Sequence, residues 1–187
     1  MAQSYILCTA FLFCFSTTAL SMSSNVLRLQ QRHSISASQT LLRQLNGTFQ
    51  CHLEDRMDFK FPEEIKLQKF QKGQALLVIH EVLQQIFDIF RRNFSSTGWN
   101  ETIIKNLFVE LSWQVDHLET ALEKIIEEKN FSWEKNTTLL DLKQYYLRIV
   151  QYLKAKSYSR CAWTIIQVQI LKDFSFLYNL TGFISDN

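Results

Sequence analysis

The sequence predicts an all-α fold, a bundle in which two helices run up and two run down, with a long first crossover. Three observations lead there. The 187 residues include only four glycines and one proline, too few for a sheet rich in tight turns. Apolar residues recur at alternating steps of three and four over long stretches, the period of an amphipathic helix. Residues 46–71 hold no sustained period and contain Pro62, so they read as one long connection. An up-down-up-down bundle needs only short links, whereas the up-up-down-down order requires long ones.

Residues 1–21 carry no charged side chain, and the apolar run from Tyr5 to Phe15 leads to small residues at Ala19 and Ser21. They read as a secretory signal peptide, with the mature chain starting at Met22. A membrane anchor is the competing reading, but the run falls short of the roughly 18–20 apolar residues of a spanning helix. Residues 22–187 are then long enough for a single compact domain and too short for two. The net charge of +2, without a basic block or an acidic tail, argues against nucleic acid as a partner.

The first helix is expected from Asn25 to Leu45, on the stripe Ile35, Leu42 and Leu45 with Ser38 set in it, and Gly47 ends it. The connection that follows has apolar anchors in Leu53, Met57, Phe59 and Phe61, so it is expected to pack down, with room for a short helical turn. A second helix runs from about Gln74 to Phe94 on Ile79, Leu83, Ile86, Phe90 and Phe94, and Ser95-Ser96-Thr97-Gly98 breaks it. The third has the cleanest stripe: Ile104, Phe108, Leu111, Val115, Leu118, Leu122 and Ile125. That seam could serve a coiled coil, but in a short domain it reads as bundle core. After a connection from Asn130 to Asn136 comes a fourth helix, Thr138 to Leu153, capped by Thr137 or Thr138. The fifth runs from Tyr158 to about Leu180 on Trp163, Ile166, Ile170, Phe174 and Leu177.

Cys8 and Cys14 leave with the signal peptide. Cys51 and Cys161 remain in a chain bound for an oxidising compartment, and a single structural disulfide is the economical reading. Six Asn-x-Ser/Thr sequons, at Asn46, Asn93, Asn100, Asn130, Asn136 and Asn179, are candidate glycan sites, not all of which need be used. No phosphate loop, nucleophile elbow or metalloprotease helix is present, and the paired acids Glu54-Asp55 and Glu127-Glu128 read as solvated faces or caps. His33, His52, His80 and His117 lack the three- or four-residue spacing of helical metal ligands. Neither an enzyme, nor a cofactor, nor a metal is expected.

On the last helix Val168 and Leu171 point away from the predicted core, beside Gln167 and Lys172. Exposed apolar residues ringed by polar ones mark a contact surface; the alternative is a core face wide enough to swallow them.

The most informative stretch is Tyr145-Tyr146-Leu147-Arg148-Ile149-Val150-Gln151-Tyr152-Leu153, seven further residues, then Cys161-Ala162-Trp163. It resembles the signature of the type I interferons: an aromatic pair, a Tyr-Leu, seven residues and Cys-Ala-Trp. Residues 15–23, Glu63-Glu64-Ile65-Lys66, 95–103 and 153–165 are also similar to that family. The resemblance implies a five-helix cytokine bundle whose fourth helix fills the second crossover. It further implies a secreted monomer, not inserted in a membrane, that bridges the high-affinity and low-affinity chains of the type I interferon receptor. The expected output is antiviral, antiproliferative and immunomodulatory.

By that similarity Leu53 and Arg56 of the long loop join Gln167, Val168, Leu171 and Lys172 against the high-affinity chain, with the disulfide holding loop to helix. The low-affinity chain would dock on the opposite face, on the second, third and fourth helices. Asn100 matches a glycosylated position of the family. Gln167 and Lys172 stand where the family commonly has arginines and Gln169 where it commonly has an acid, so weaker or host-specific receptor binding is expected. The rival reading is a secreted amphipathic helical protein that binds lipid or membrane surfaces, although its polar faces are not rich in Lys and Arg.

Overall fold

The computed structural model describes residues 24–45, 57–129 and 137–184. The expected signal peptide, Asn46, Gly47, Cys51, His52, Leu53, Arg56, Asn130 and Asn136 lie outside them. Five long helices carry the fold: α1 (Ser24–Gln44), α3 (Lys72–Phe90), α4 (Glu101–Lys129), α5 (Thr137–Ala155) and α6 (Arg160–Leu180). The short α2 (Glu63–Leu67) is the helical turn expected inside the crossover, entered directly after Pro62 and opened by Glu63 and Glu64. Single 3₁₀ turns, Ser95–Thr97 and Thr181–Ile184, follow α3 and α6.

Contacts between distant residues set the helix directions. Along α1 and α6, Arg32 Nε donates to Thr181 Oγ1 (3.0 Å), Gln39 Nε2 to Ser175 Oγ (3.2 Å) and Gln167 Nε2 to the Leu42 carbonyl (2.6 Å). Rising numbers on one helix meet falling numbers on the other, so the two are antiparallel. Phe90 at the end of α3 stacks on Trp163 at the start of α6, while Phe70 before α3 meets Phe183 beyond α6. Thus α3 also opposes α6 and runs with α1, and Lys72 of α3 donates to Ser24 at the head of α1. Helix α4 turns back along α3, with Phe108 against Phe87 near the link and Glu119 facing His80 farther on. The order is up-up-down for α1, α3 and α4 and down for α6, with α5 as the ascending crossover between the last two.

Helix α3 lies at the centre. Ala75 to Ile79 and Glu81 to Leu83 are all buried, far more than one stripe, because α4, α5, α6 and the last 3₁₀ turn all pack against it. It begins at Lys72, earlier than the apolar pattern suggested, because Gln71 and Gln74 form a reciprocal capping box.

The third predicted stripe needs a correction. On α4 the fully buried line is Ile104, Leu107, Leu111, Gln114, Leu118 and Leu122, with Phe108, Val115 and Ile125 half-buried on its flank. Gln114 can sit in the core because α1 offers a polar partner there: its Nε2 donates to Ser38 Oγ (2.9 Å) and to the Glu110 carbonyl (3.2 Å).

The link from α5 to α6 is closed tightly. The Tyr158 amide donates to the Leu153 carbonyl (2.8 Å) and Ser157 to that of Lys154 (3.0 Å), with Ser157 and Tyr158 both left-handed. Ser159 then caps α6 by accepting from the Ala162 amide (3.3 Å). This link sets Trp163 into a cluster at one end of the bundle, 5.9 Å from Phe90 and 5.4 Å from Trp99 between ring centroids. Its Nε1 donates to the Asn93 carbonyl (2.9 Å).

Candidate functional site

The outward face of α6 starts at Cys161, which is disulfide-bonded to a partner outside the described residues. Along it Val168 is 51% exposed and Lys172 is exposed, while Leu171 is half-buried and packs on the core edge. Of the residues expected to face outward, Val168 and Lys172 are open to solvent and Leu171 only partly so.

Gln167 does not belong to that surface. It is 7% exposed, and its Nε2 donates to the carbonyls of Leu42 (2.6 Å) and Leu45 (2.7 Å). A helix leaves its last carbonyls short of partners, and α1 ends beside α6, so Gln167 donates to two of them from across the interface; that of Leu42 also accepts from the Leu45 amide (3.2 Å). The core face of α6 is wide enough to take in Gln167 but not Val168. Weaker receptor binding through a surface Gln167 is therefore not what its position supports. Gln167→Ala should destabilise the fold by about 1–2 kcal/mol, since it strands the buried Leu45 carbonyl and leaves that of Leu42 with the Leu45 amide alone. Urea denaturation at unchanged m-value checks this.

Beneath the face lies a polar knot that the sequence reading missed. Asp173 is 2% exposed and accepts from the hydroxyls of Tyr145 and Tyr146, all at 3.0 Å. Gln169 Nε2 donates to the Tyr145 hydroxyl (2.9 Å) and to Asp173 (3.4 Å). Burial pushes the Asp173 carboxyl up to about 7, with Tyr145, Tyr146, Gln169 and the charge of Lys66 opposing the rise. Burial and the adjoining carboxylate raise both tyrosines above their usual range, so they stay neutral donors. The aromatic pair of the signature thus joins α5 to α6 through hydroxyls as well as rings. The signal available in the sequence was that both aromatics are tyrosine.

The crossover is held against the same knot. Arg148 donates through Nε to the Phe59 carbonyl (3.1 Å) and through a terminal nitrogen to that of Lys60 (3.0 Å). The Phe59 ring meets Tyr152 edge-on at 5.3 Å, and Phe61 meets Tyr145 at 5.1 Å and Phe176 at 5.2 Å. Of the four expected loop anchors, Phe59 and Phe61 serve as such; Met57 is 45% exposed and does not. Crossover and α6 are thereby fixed as one surface.

Asn93, Asn100 and Asn179 are exposed. Asn93 Oδ1 accepts from the Ser95 amide (3.0 Å) and hydroxyl (2.7 Å), and Asn100 Oδ1 accepts from the Thr102 amide (2.8 Å) at the head of α4. His117 lies against Trp113, its Nδ1 2.8 Å from the Trp113 carbonyl, and the half-buried His80 is shifted toward its neutral form by desolvation. Among the described residues no group of three His, Cys, Asp or Glu could hold a metal, and no helix is long and apolar enough to cross a membrane.

An interferon alpha/beta domain model matches residues 27–184. The sequence is 56% identical to interferon beta of Equus caballus, covering 100% of both chains. It is 54% identical to interferon beta of Homo sapiens, over 98% of this chain and 99% of that one. Identity to interferon alpha-14 of Homo sapiens is 34% over 96% of each. Among solved structures, zebrafish interferon 1 is similar with a TM-score of 0.68, covering 82% of this chain and 95% of its own; at 16% identity that is a likeness of fold.

Proposed function

The chain belongs to the interferon alpha/beta family and is a type I interferon cytokine, and from that premise we propose that it is secreted and bridges the high-affinity and low-affinity chains of the type I interferon receptor. Members of this family are cytokines and not enzymes. Signalling of this kind needs no chemistry from the protein: one molecule binds two receptor chains and holds their intracellular parts together, which starts antiviral, antiproliferative and immunomodulatory gene expression.

The observation that carries the reading is the fixed face of α6, with Val168 and Lys172 open to solvent on a helix that Asp173 ties to α5 through two tyrosine hydroxyls. Val168, Leu171 and Lys172, with Leu53 and Arg56, make up the surface for the high-affinity chain. Gln167 supports that surface from inside by fixing α1 to α6. Cys51 is the partner of Cys161, since Cys8 and Cys14 leave with residues 1–21. A preset face loses less freedom on binding than a loose one, and the disulfide supports affinity in that way. Asn100, exposed at the head of α4, is a glycan site.

Val168→Glu tests the assignment by surface plasmon resonance on the receptor ectodomains. A charge in the middle of a desolvated patch should weaken the high-affinity chain at least about tenfold and leave the low-affinity chain unchanged. The thermal midpoint should not move, because Val168 is already half in water. Unchanged affinity for the high-affinity chain would remove α6 from the contact. The rival membrane-surface reading has no observation in its favour, because the long helices turn their apolar faces into the shared core.

A further inference from the structure

We propose that Asn179 carries an N-linked glycan whose first sugars lie in the groove between the crossover and the end of α6. Lys172, Ser175, Phe176 and Asn179 follow one another at helical spacing, so they form one wall of that groove. The crossover supplies the other wall with Ile65, Lys66, Gln68 and Phe70, and Phe183 closes the end. The groove measures about 280 Å³ and opens to solvent. Pockets that hold free small molecules usually span about 300–1,000 Å³ and enclose most of the ligand, so an untethered molecule would be held poorly here. A group attached to Asn179 begins inside the groove and gives up little further freedom by staying there.

The lining suits a sugar. Phe70 and Phe183 stand edge to face at 5.9 Å, and Phe183 is 38% exposed, an apolar surface of the kind that packs against the C–H face of a pyranose ring. Lys66, Gln68 and Lys172 offer donors to hydroxyl and N-acetyl oxygens. The sequon itself is complete: Asn179-Leu180-Thr181. Thr181 is fully buried, accepts from Arg32 (3.0 Å) and donates to the Tyr178 carbonyl (2.7 Å). That hydroxyl is out of reach once the bundle forms, so attachment has to precede the docking of α6. The glycan would cover the apolar rim around Phe183 and border the receptor-facing surface at Lys172.

The inference rests on the secretory route proposed above, and the test separates the two. Glycopeptide mass spectrometry on protein secreted from mammalian cells should find Asn179 occupied in most molecules. Asn179 bare, whether or not Asn100 carries a glycan, would overturn the inference and leave secretion standing; absence of the protein from the medium would overturn both. Placement is read by amine labelling of Lys66 and radical footprinting of Phe183. Both signals should rise severalfold in N179Q and stay level in N100Q, which loses a glycan elsewhere. Equal labelling of wild type and N179Q would overturn the placement. Asn179 is exposed, so the substitution should leave the fold intact, and Asn179→Asp repeats the comparison should N179Q fail to be secreted.

Discussion

Trp163→Ala should destabilise the folded protein by about 3–5 kcal/mol. The indole is fully buried where α3, α6 and the Ser95–Thr97 turn meet, with Phe90 stacked on it and Trp99 against its edge. Truncation opens a cavity that the neighbouring helices, held by the tight α5–α6 link, cannot collapse to fill. It also strands the Asn93 carbonyl, whose partner is the indole N–H. Trp163→Phe keeps most of the apolar volume and loses that hydrogen bond, so it should fall between wild type and Trp163→Ala. Guanidinium denaturation of the three proteins checks the order, and equal midpoints would mean that the cluster is not a core.

The second large effect is a dependence on pH centred on Asp173. Its carboxyl titrates near 7 in the fold against an ordinary value of 3.8, because burial penalises the charge more than the two tyrosines and Gln169 stabilise it. Between those values the folded chain holds a proton that the unfolded chain has released. The stability contributed by Asp173 is therefore complete below about pH 4 and is lost as the pH rises through about 7. A displacement of about three units sets a ceiling of about 4 kcal/mol on the swing. Asp173→Asn carries no charge at any pH, and the tyrosine hydroxyls can rotate to suit its amide. Relative to wild type it should gain stability from pH 4 to about pH 7 and level off by pH 8 in parallel urea titrations. Parallel curves across that range would show that Asp173 is ionised throughout.

Much of the fold was legible because burial follows the helical period. Tyr145, Ile149 and Tyr152 recur at steps of four and three and all lie in the core, as do Trp163, Ile166, Ile170, Phe174 and Leu177. Pro62 and the missing period marked the crossover, and the short helical turn allowed within it is the one that Glu63 and Glu64 open.

What escaped the pattern was polar and tertiary. Gln114 lies in the buried line of α4 because Ser38 stands across from it, and a residue's own hydropathy carries no record of its partner. Gln167 turns inward because α1 happens to end beside α6, which no periodicity within α6 can report. Asp173 reads as a surface acid until the two tyrosine hydroxyls are brought to it from another helix. Helix α3 showed one stripe in sequence and is buried on nearly every side, because neighbours surround it. The candidate surface was half legible for the same reason: Val168 and Lys172 were placed correctly outward, and Gln167 was not.

An interferon-response reporter in cells of the source species, with and without the type I receptor, tests the bridging account most directly. Purified mature protein should induce the reporter at low concentration only where both receptor chains are present, and Val168→Glu should shift that response to higher concentration. Induction that persists without the receptor, or silence from folded protein with its disulfide intact, would contradict it.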